Sequence, residues 1–97
     1  MNQCYIAGQI TGLDEKEYIF NFAIAEKEVY ILGYEPISPL NLLHKEDSTW
    51  EDYLKKDIAS LLYCEAVYAL RNWQESKGAK IEVSLAMQLN IPIIYQP

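Results

Sequence analysis

Four short apolar runs punctuate the chain, and between them lie longer stretches whose apolar residues return every three or four positions. Gln3 to Ala7 (QCYIA) is the first run; it ends at Gly8 and gives way to a polar loop holding Thr11, Gly12 and Asp14, the pattern of a short buried strand running into a turn. From Glu17 to Leu32, Tyr18, Phe22, Ala25, Val29 and Leu32 fall at helical spacing, and Gly33 suits the position just past a helix end. Tyr34 to Pro39 (YEPISP) predicts a short strand near a sheet edge, because its prolines donate no backbone hydrogen bond. Ser48 to Glu51 has the spacing of a capping box for a helix through Leu62. Ala66 to Leu70 (AVYAL) predicts a third strand, Ser76 to Leu89 a third helix, and Ile91 to Tyr95 (IPIIY) the last strand.

The order β-α-β-α-β-α-β, with strands apolar throughout, predicts a parallel sheet covered by helices on both faces and joined by right-handed crossovers. The expected fold is therefore α/β: one flavodoxin-like or Rossmann-like three-layer domain, residues 1–97, with a small parallel sheet of strand order 2-1-3-4. Such sheets bind ligands outside the carboxyl ends of their strands, where the order reverses. The loops expected there are Gly8 to Asp14, Ser38 to Leu42 and Arg71 to Gly78.

One residue breaks the pattern of the third helix. Plotted at about 100° per residue, Glu82 falls in the middle of the apolar face, with Gly78, Ala79, Leu85, Ala86 and Leu89 around it, Ile81 and Val83 at the edges, and Lys77, Lys80, Ser84, Met87 and Gln88 opposite. A buried unpaired carboxylate costs several kcal/mol. Pairing with Arg71, capping of backbone donors, or a helix rotated toward solvent would each offset that cost. So would a pocket, in which Glu82 is a working carboxylate. Ser76 and Gly78 at the start of the same helix leave backbone N–H groups free for an anion such as phosphate, although a plain Ser cap accounts for Ser76 equally well.

Charge narrows the choice of ligand. The net charge of −6 excludes a nucleic-acid polymer, whose backbone needs a basic surface. Residues 1–54 carry three Lys against ten Asp and Glu, whereas residues 55–97 carry five Lys and Arg against four acids, so a small anion is expected to bind the second half. With 97 residues, 51% of them apolar, one core is expected. No run of about 18 apolar residues appears, and Met1-Asn2-Gln3-Cys4 has neither a basic nor a hydrophobic leader. A cytoplasmic protein without membrane contact is expected. Cys4, Cys64 and the single His44 form neither a disulfide framework nor a metal-ligand spacing; the cysteines read as packing, and no metal or organic cofactor is expected.

Tyr5-Ile6-Ala7-Gly8-Gln9-Ile10-Thr11-Gly12, Phe20-Asn21, Gly33-Tyr34 to Pro39, the Asp57 helix, Cys64-Glu65-Ala66-Val67, and Trp73 to Ala86 with its S-x-G-x-x-x-E core together resemble the small nucleoside 2-deoxyribosyltransferase-like family, in its short branch found in phage and bacterial genomes. The resemblance covers nearly the whole chain. It implies that Glu82 is the nucleophile toward C1′ of a deoxyribosyl group, that Tyr5 orients it, that Gly8 lets substrate approach the backbone, and that Asp57 handles the base or its proton. Ser76 stands where the transferases have an aspartate and the nucleotide hydrolases a serine facing the 5′-phosphate, so the chain looks closer to the hydrolases there. Gln9 stands where a proline is usual, Glu65 where an aspartate is common, and the chain is shorter than the active enzymes.

The expected substrate is thus a small nucleoside or its 5′-monophosphate, with Gly8, Gln9, Ser76, Gly78 and Trp73 in contact with it. Trp73, Tyr18 and Trp50 are candidates for stacking on a base or for a homodimer interface. A carboxylate suits the chemistry, since cleavage of an N-glycosidic bond develops positive charge at C1′ that an anion can stabilise and then trap as an ester. The competing readings are a non-catalytic nucleotide-binding module and an oligomeric interaction protein with a vestigial crevice.

Overall fold

The computed structural model describes Met1–Pro97. Strand β1 spans Gln3–Ala7, helix α1 Glu15–Ile31, strand β2 Glu35–Ile37, helix α2 Trp50–Leu61, strand β3 Ala66–Ala69, helix α3 Lys77–Gln88 and strand β4 Ile93–Tyr95, with single 3-10 turns at Pro39–Asn41 and Trp73–Glu75. The four strands form one parallel sheet in the order β2-β1-β3-β4, the flavodoxin-like arrangement that the pattern predicts. Tyr5 lies between Ile37 on β2 and Val67 on β3.

Both faces of the sheet are buried, which is why its strands read as continuous apolar runs. Tyr5, Ala7, Val67 and Ala69 face Leu61 of α2 and Ala79, Val83 and Ala86 of α3. Cys4, Ile6, Ala66 and Tyr68 face Phe22, Ala25 and Val29 of α1. One helix therefore covers one face and two cover the other.

The helix ends follow local chemistry. Helix α1 starts two residues before the predicted Glu17, on Asp14, whose carbonyl accepts from Glu17 N and Tyr18 N. Its far end is a Schellman closure: Gly33, at φ +96°, donates to Tyr30 O, and Tyr34 donates to Val29 O. Asn90, at φ 58°, ends α3 in the same way, with Ile91 N bonded to Ala86 O. The capping box of α2 is one residue later than predicted. Ser48 N is taken by Lys45 O in the preceding turn, while Thr49 Oγ1 accepts from Asp52 N and Asp52 Oδ2 accepts from Thr49 N.

The two edge strands are shorter than predicted. β2 pairs only over Glu35–Ile37, because Ser38 turns inward to cap the 3-10 turn that begins at Pro39. β4 pairs only from Ile93, since Pro92 has no N–H, although its carbonyl still accepts from Val67 N.

Candidate active site

Seen along its axis, α3 buries Ala79, Glu82, Val83 and Ala86. At about 100° per residue, the centre of that arc lies about 50° from Glu82 on the Val83 side, while Leu89, placed on the apolar face by the sequence, is 49% exposed. Glu82 therefore sits at the margin of the buried face rather than at its centre. That margin adjoins a cavity of ≈ 690 Å³ at the carboxyl ends of β1, β2 and β3.

Tyr5 and Glu82, 77 residues apart, meet at the floor of this cavity: the Tyr5 hydroxyl donates to Glu82 Oε2 at 2.8 Å. Glu82 is 4% exposed and Tyr5 fully buried. No Arg71 pairing is present, so the tyrosine hydroxyl is the partner of the buried carboxyl group. Burial pushes the Glu82 carboxyl up to about 8; the Tyr5 hydrogen bond opposes the rise and nearby Asp57 adds to it. Tyr5 itself is held well above its ordinary range, first by burial and then by the charge of Glu82.

Helix α2 builds the opposite wall. Trp50, Tyr53, Leu54 and Asp57 occur at i, i+3, i+4 and i+7, and all four line the cavity. Burial pushes Asp57 up to about 6 against the opposing influence of His44. His44 comes from the loop before α2; its ring lies on Tyr53 with centroids 4.1 Å apart, and its Nε2 is 3.6 Å from Asp57 Oδ1. Tyr18 of α1, Ile10 and Thr11 after β1, and Pro39 and Leu40 after β2 complete the enclosure.

The cavity gathers Tyr5, Gly8, Asp57, Ser76, Gly78 and Glu82 of the expected site, together with Tyr18 and Trp50. Trp73 is not among its walls. It packs beside the core at the β3–β4 end, its ring 6.1 Å from that of Tyr95, because the 3-10 turn at Trp73–Glu75 carries it past the crevice. Gln9 also stays outside: its backbone N–H donates to Asn72 Oδ1 and its side-chain amide to Thr11 O. These bonds tie the loop after β1 to the loop after β3. Glu65 accepts from Gln3 N, pinning the start of β1.

The two glycines of the site differ. A Cβ on Gly8 would lie 2.5 Å from Leu70 Cδ1, inside the core, so its side chain is excluded by packing. A Cβ on Gly78 would meet nothing nearer than 3.8 Å, and what its absence leaves is room in the cavity beside Trp50 and Leu54. Ser76 caps α3 by accepting from Ala79 N at 3.1 Å, while the N–H groups of Lys77 and Gly78 have no acceptor within the helix. Lys77 places its ammonium 4.9 Å from the Trp50 ring centroid.

His44 and Tyr53 are the site residues that sequence reasoning misses. Tyr53 was open to discovery, being on one helical face with Trp50 and Asp57. His44 had no such signal, because a loop brings it in. No group of three or more His, Cys, Asp or Glu side chains is placed to hold a metal ion. Burial pushes Cys4 up to about 12 and Cys64 up to about 11, consistent with inert packing groups.

A four-stranded parallel sheet with a carboxyl-bearing crevice at its switch point defines a flavodoxin-like α/β protein. Within that class, the chain belongs to the family described as domain of unknown function DUF4406, whose model matches residues 2–95. No curated protein matches it in sequence. Its structure is similar to that of a conserved protein from Enterococcus faecalis V583, with TM-score 0.73 and 18% identity over 98% of this chain and 62% of that one. It is also similar to a 2-desoxiribosyltransferase from Leishmania mexicana, with TM-score 0.69 and 19% identity over 98% of this chain and 63% of that one. The chain thus shares the fold of both structures and spans under two thirds of the length of either.

Proposed function

We propose that this chain cleaves the N-glycosidic bond of a deoxynucleoside, presented as its 5′-monophosphate, through attack of Glu82 on C1′. The observation that carries the reading is the buried Tyr5–Glu82 hydrogen bond of 2.8 Å on the floor of a cavity that Asp57 also lines. Glu82 is buried and partnered on one oxygen, which leaves the other for the sugar. Between about 6 and 8 the two carboxyls hold one proton between them; the reactive form is the minority arrangement in which that proton sits on Asp57 and Glu82 is ionised, and Asp57 is then the proton donor to the departing base. Ser76 and the free N–H groups at the start of α3 take the phosphate, and Tyr18, Trp50 and Tyr53 enclose the base. Gly78 leaves room for the sugar. Water then hydrolyses the glycosyl ester, or a second base accepts the sugar. The fold shared with the Leishmania mexicana 2-desoxiribosyltransferase supports this assignment of roles, and homo-oligomerisation in the cytoplasm belongs to the same proposal.

A second reading draws on the same burial. A Glu82 carboxyl at about 8 is mostly neutral at pH 7, as suits a nucleotide-binding module without turnover. One experiment separates the two. Wild-type protein and Glu82→Ala are incubated with deoxynucleoside monophosphates, and free base is measured by chromatography. The enzyme releases base and the variant does not; saturable binding without release supports the binding module, and equal release by both removes Glu82 from the mechanism.

A further inference from the structure

His44 Nε2 and Asp57 Oδ1 are both buried and both lack a hydrogen-bond partner. Such atoms are uncommon in folded proteins and call for a reason. At 3.6 Å they stand just beyond hydrogen-bond reach of each other. The imidazole lies against the Tyr53 ring, with centroids 4.1 Å and planes 30° apart, and its Nε2 faces Asp57. His44 also lines a second, polar hollow of ≈ 420 Å³ with Lys45, Asp47, Ser48, Asp52 and Lys56, and it is the residue common to that hollow and the main cavity. It forms the partition between Asp57 and the outer surface.

We infer that His44 is a positioning residue for the leaving-group acid: it hydrogen-bonds the Asp57 carboxylate that forms when Asp57 gives its proton to the departing base. This rests on the glycosidic cleavage proposed above. In the first step a Glu82 oxygen bonds to C1′, the C1′–N electron pair goes to the base, and the Asp57 proton goes to the base nitrogen. Asp57 is then an anion in a cavity with Glu82 on its far side. A buried carboxylate without a partner is strongly disfavoured, and His44 Nε2–H supplies that partner by closing a gap of a few tenths of an ångström. In the second step water attacks C1′, its proton returns to Asp57, and Glu82 leaves as carboxylate. Because the contact strengthens only as charge develops on Asp57, it lowers the barrier rather than tightening substrate binding. The remaining charged groups around His44, Lys45, Asp47, Asp52 and Lys56, lie on the outer side of the partition.

The test compares His44→Ala, His44→Gln, Asp57→Asn and the His44→Ala/Asp57→Asn double variant on two substrates. One is a deoxynucleoside monophosphate. The other is 4-nitrophenyl 2-deoxyriboside 5-phosphate, whose leaving group departs without a proton. On the nucleotide, His44→Ala is expected to lower kcat by about 10- to 100-fold, a part of the roughly 100- to 10,000-fold that a general acid contributes as a whole, with KM nearly unchanged. His44→Gln, which keeps an N–H donor, recovers part of the loss, and the double variant is no slower than Asp57→Asn alone. On the nitrophenyl substrate the loss in His44→Ala stays below about threefold, since no proton transfer is needed. Equal losses on both substrates, or additive losses in the double variant, would overturn the role of His44 while leaving the reaction standing. Absence of turnover by the wild type on either substrate would overturn the reaction and this inference with it.

Discussion

At the residue scale, the fold places Glu82 where burial works against its charge. The Tyr5 hydroxyl is its hydrogen-bond partner, so Tyr5→Phe is expected to push Glu82 further above about 8 and to lower kcat/KM at neutral pH by about 10-fold or more, the worth of a hydrogen bond to a charged group. In the wild type, kcat/KM is expected to be bell-shaped in pH, with limbs near 6 and 8. Below the first, both Asp57 and Glu82 are protonated and the nucleophile is neutral; above the second, both are ionised and no acid remains. The limbs belong to the pair, because the two carboxyls influence each other. A flat profile across that range would contradict the assignment of both roles. Glycines give a sharper structural test. Gly8→Ala forces a Cβ against Leu70 and is expected to cost about 1–3 kcal/mol by overpacking. Gly78→Ala, with ordinary contacts, is expected to stabilise α3 by up to about 1 kcal/mol while narrowing the cavity. Chemical denaturation of both variants reads the contrast.

At the element scale, α2 and α3 each carry a carboxyl group on an otherwise inward-facing stripe, and the sheet brings the two stripes together. Glu82 was legible in the sequence because a single acid at the centre of a helical apolar face is visible without a partner. Asp57 shows the same anomaly once Trp50, Tyr53 and Leu54 are plotted with it, but Lys55 and Lys56 beside it disguise the stripe as a solvated face. The 50° rotation of α3 was not legible, since it is set by how Ala79, Val83 and Ala86 nest on Tyr5, Val67 and Ala69. Trp73 shows the reverse limit: its aromatic ring suited a base, and a three-residue turn aimed it at Tyr95 instead. The choice of cap on α2 is testable directly. Thr49→Ala is expected to cost about 1 kcal/mol, whereas Ser48→Ala costs a few tenths, because only Thr49 accepts from the first turn of the helix.

At the scale of the whole molecule, the topology was legible because alternating strand and helix signals, short connections and right-handed crossovers leave few arrangements for four parallel strands. The site follows from that topology, for the order 2-1-3-4 opens its crevice where β1 and β3 separate their loops. The loop carrying His44 is the part no pattern specified. Maintaining the site also affects stability. Glu82 and Asp57 both titrate higher in the folded chain than in the unfolded one, about 8 against 4.5 and about 6 against 3.8. The folded state therefore holds more protons between pH 4 and 8, so stability falls as pH rises through that window. Thermal unfolding of the wild type is expected at lower temperature at pH 8.5 than at pH 5.5, by an amount on the order of 10 °C for a few kcal/mol in a domain of this size. Glu82→Gln, which keeps an acceptor for Tyr5, is expected to remove most of that slope. An unchanged slope in the variant would mean that Glu82 is ionised in the fold at low cost. The central claim, that Glu82 attacks C1′, is tested most directly by mass spectrometry of protein incubated with a 2-deoxy-2-fluoro-arabinosyl nucleoside 5′-monophosphate, whose fluorine slows release of the sugar ester. The expected result is a gain of one fluorosugar phosphate, localised to Glu82 by peptide mapping and absent from Glu82→Gln. Release of base without an adduct, or an adduct on any other residue, would contradict it.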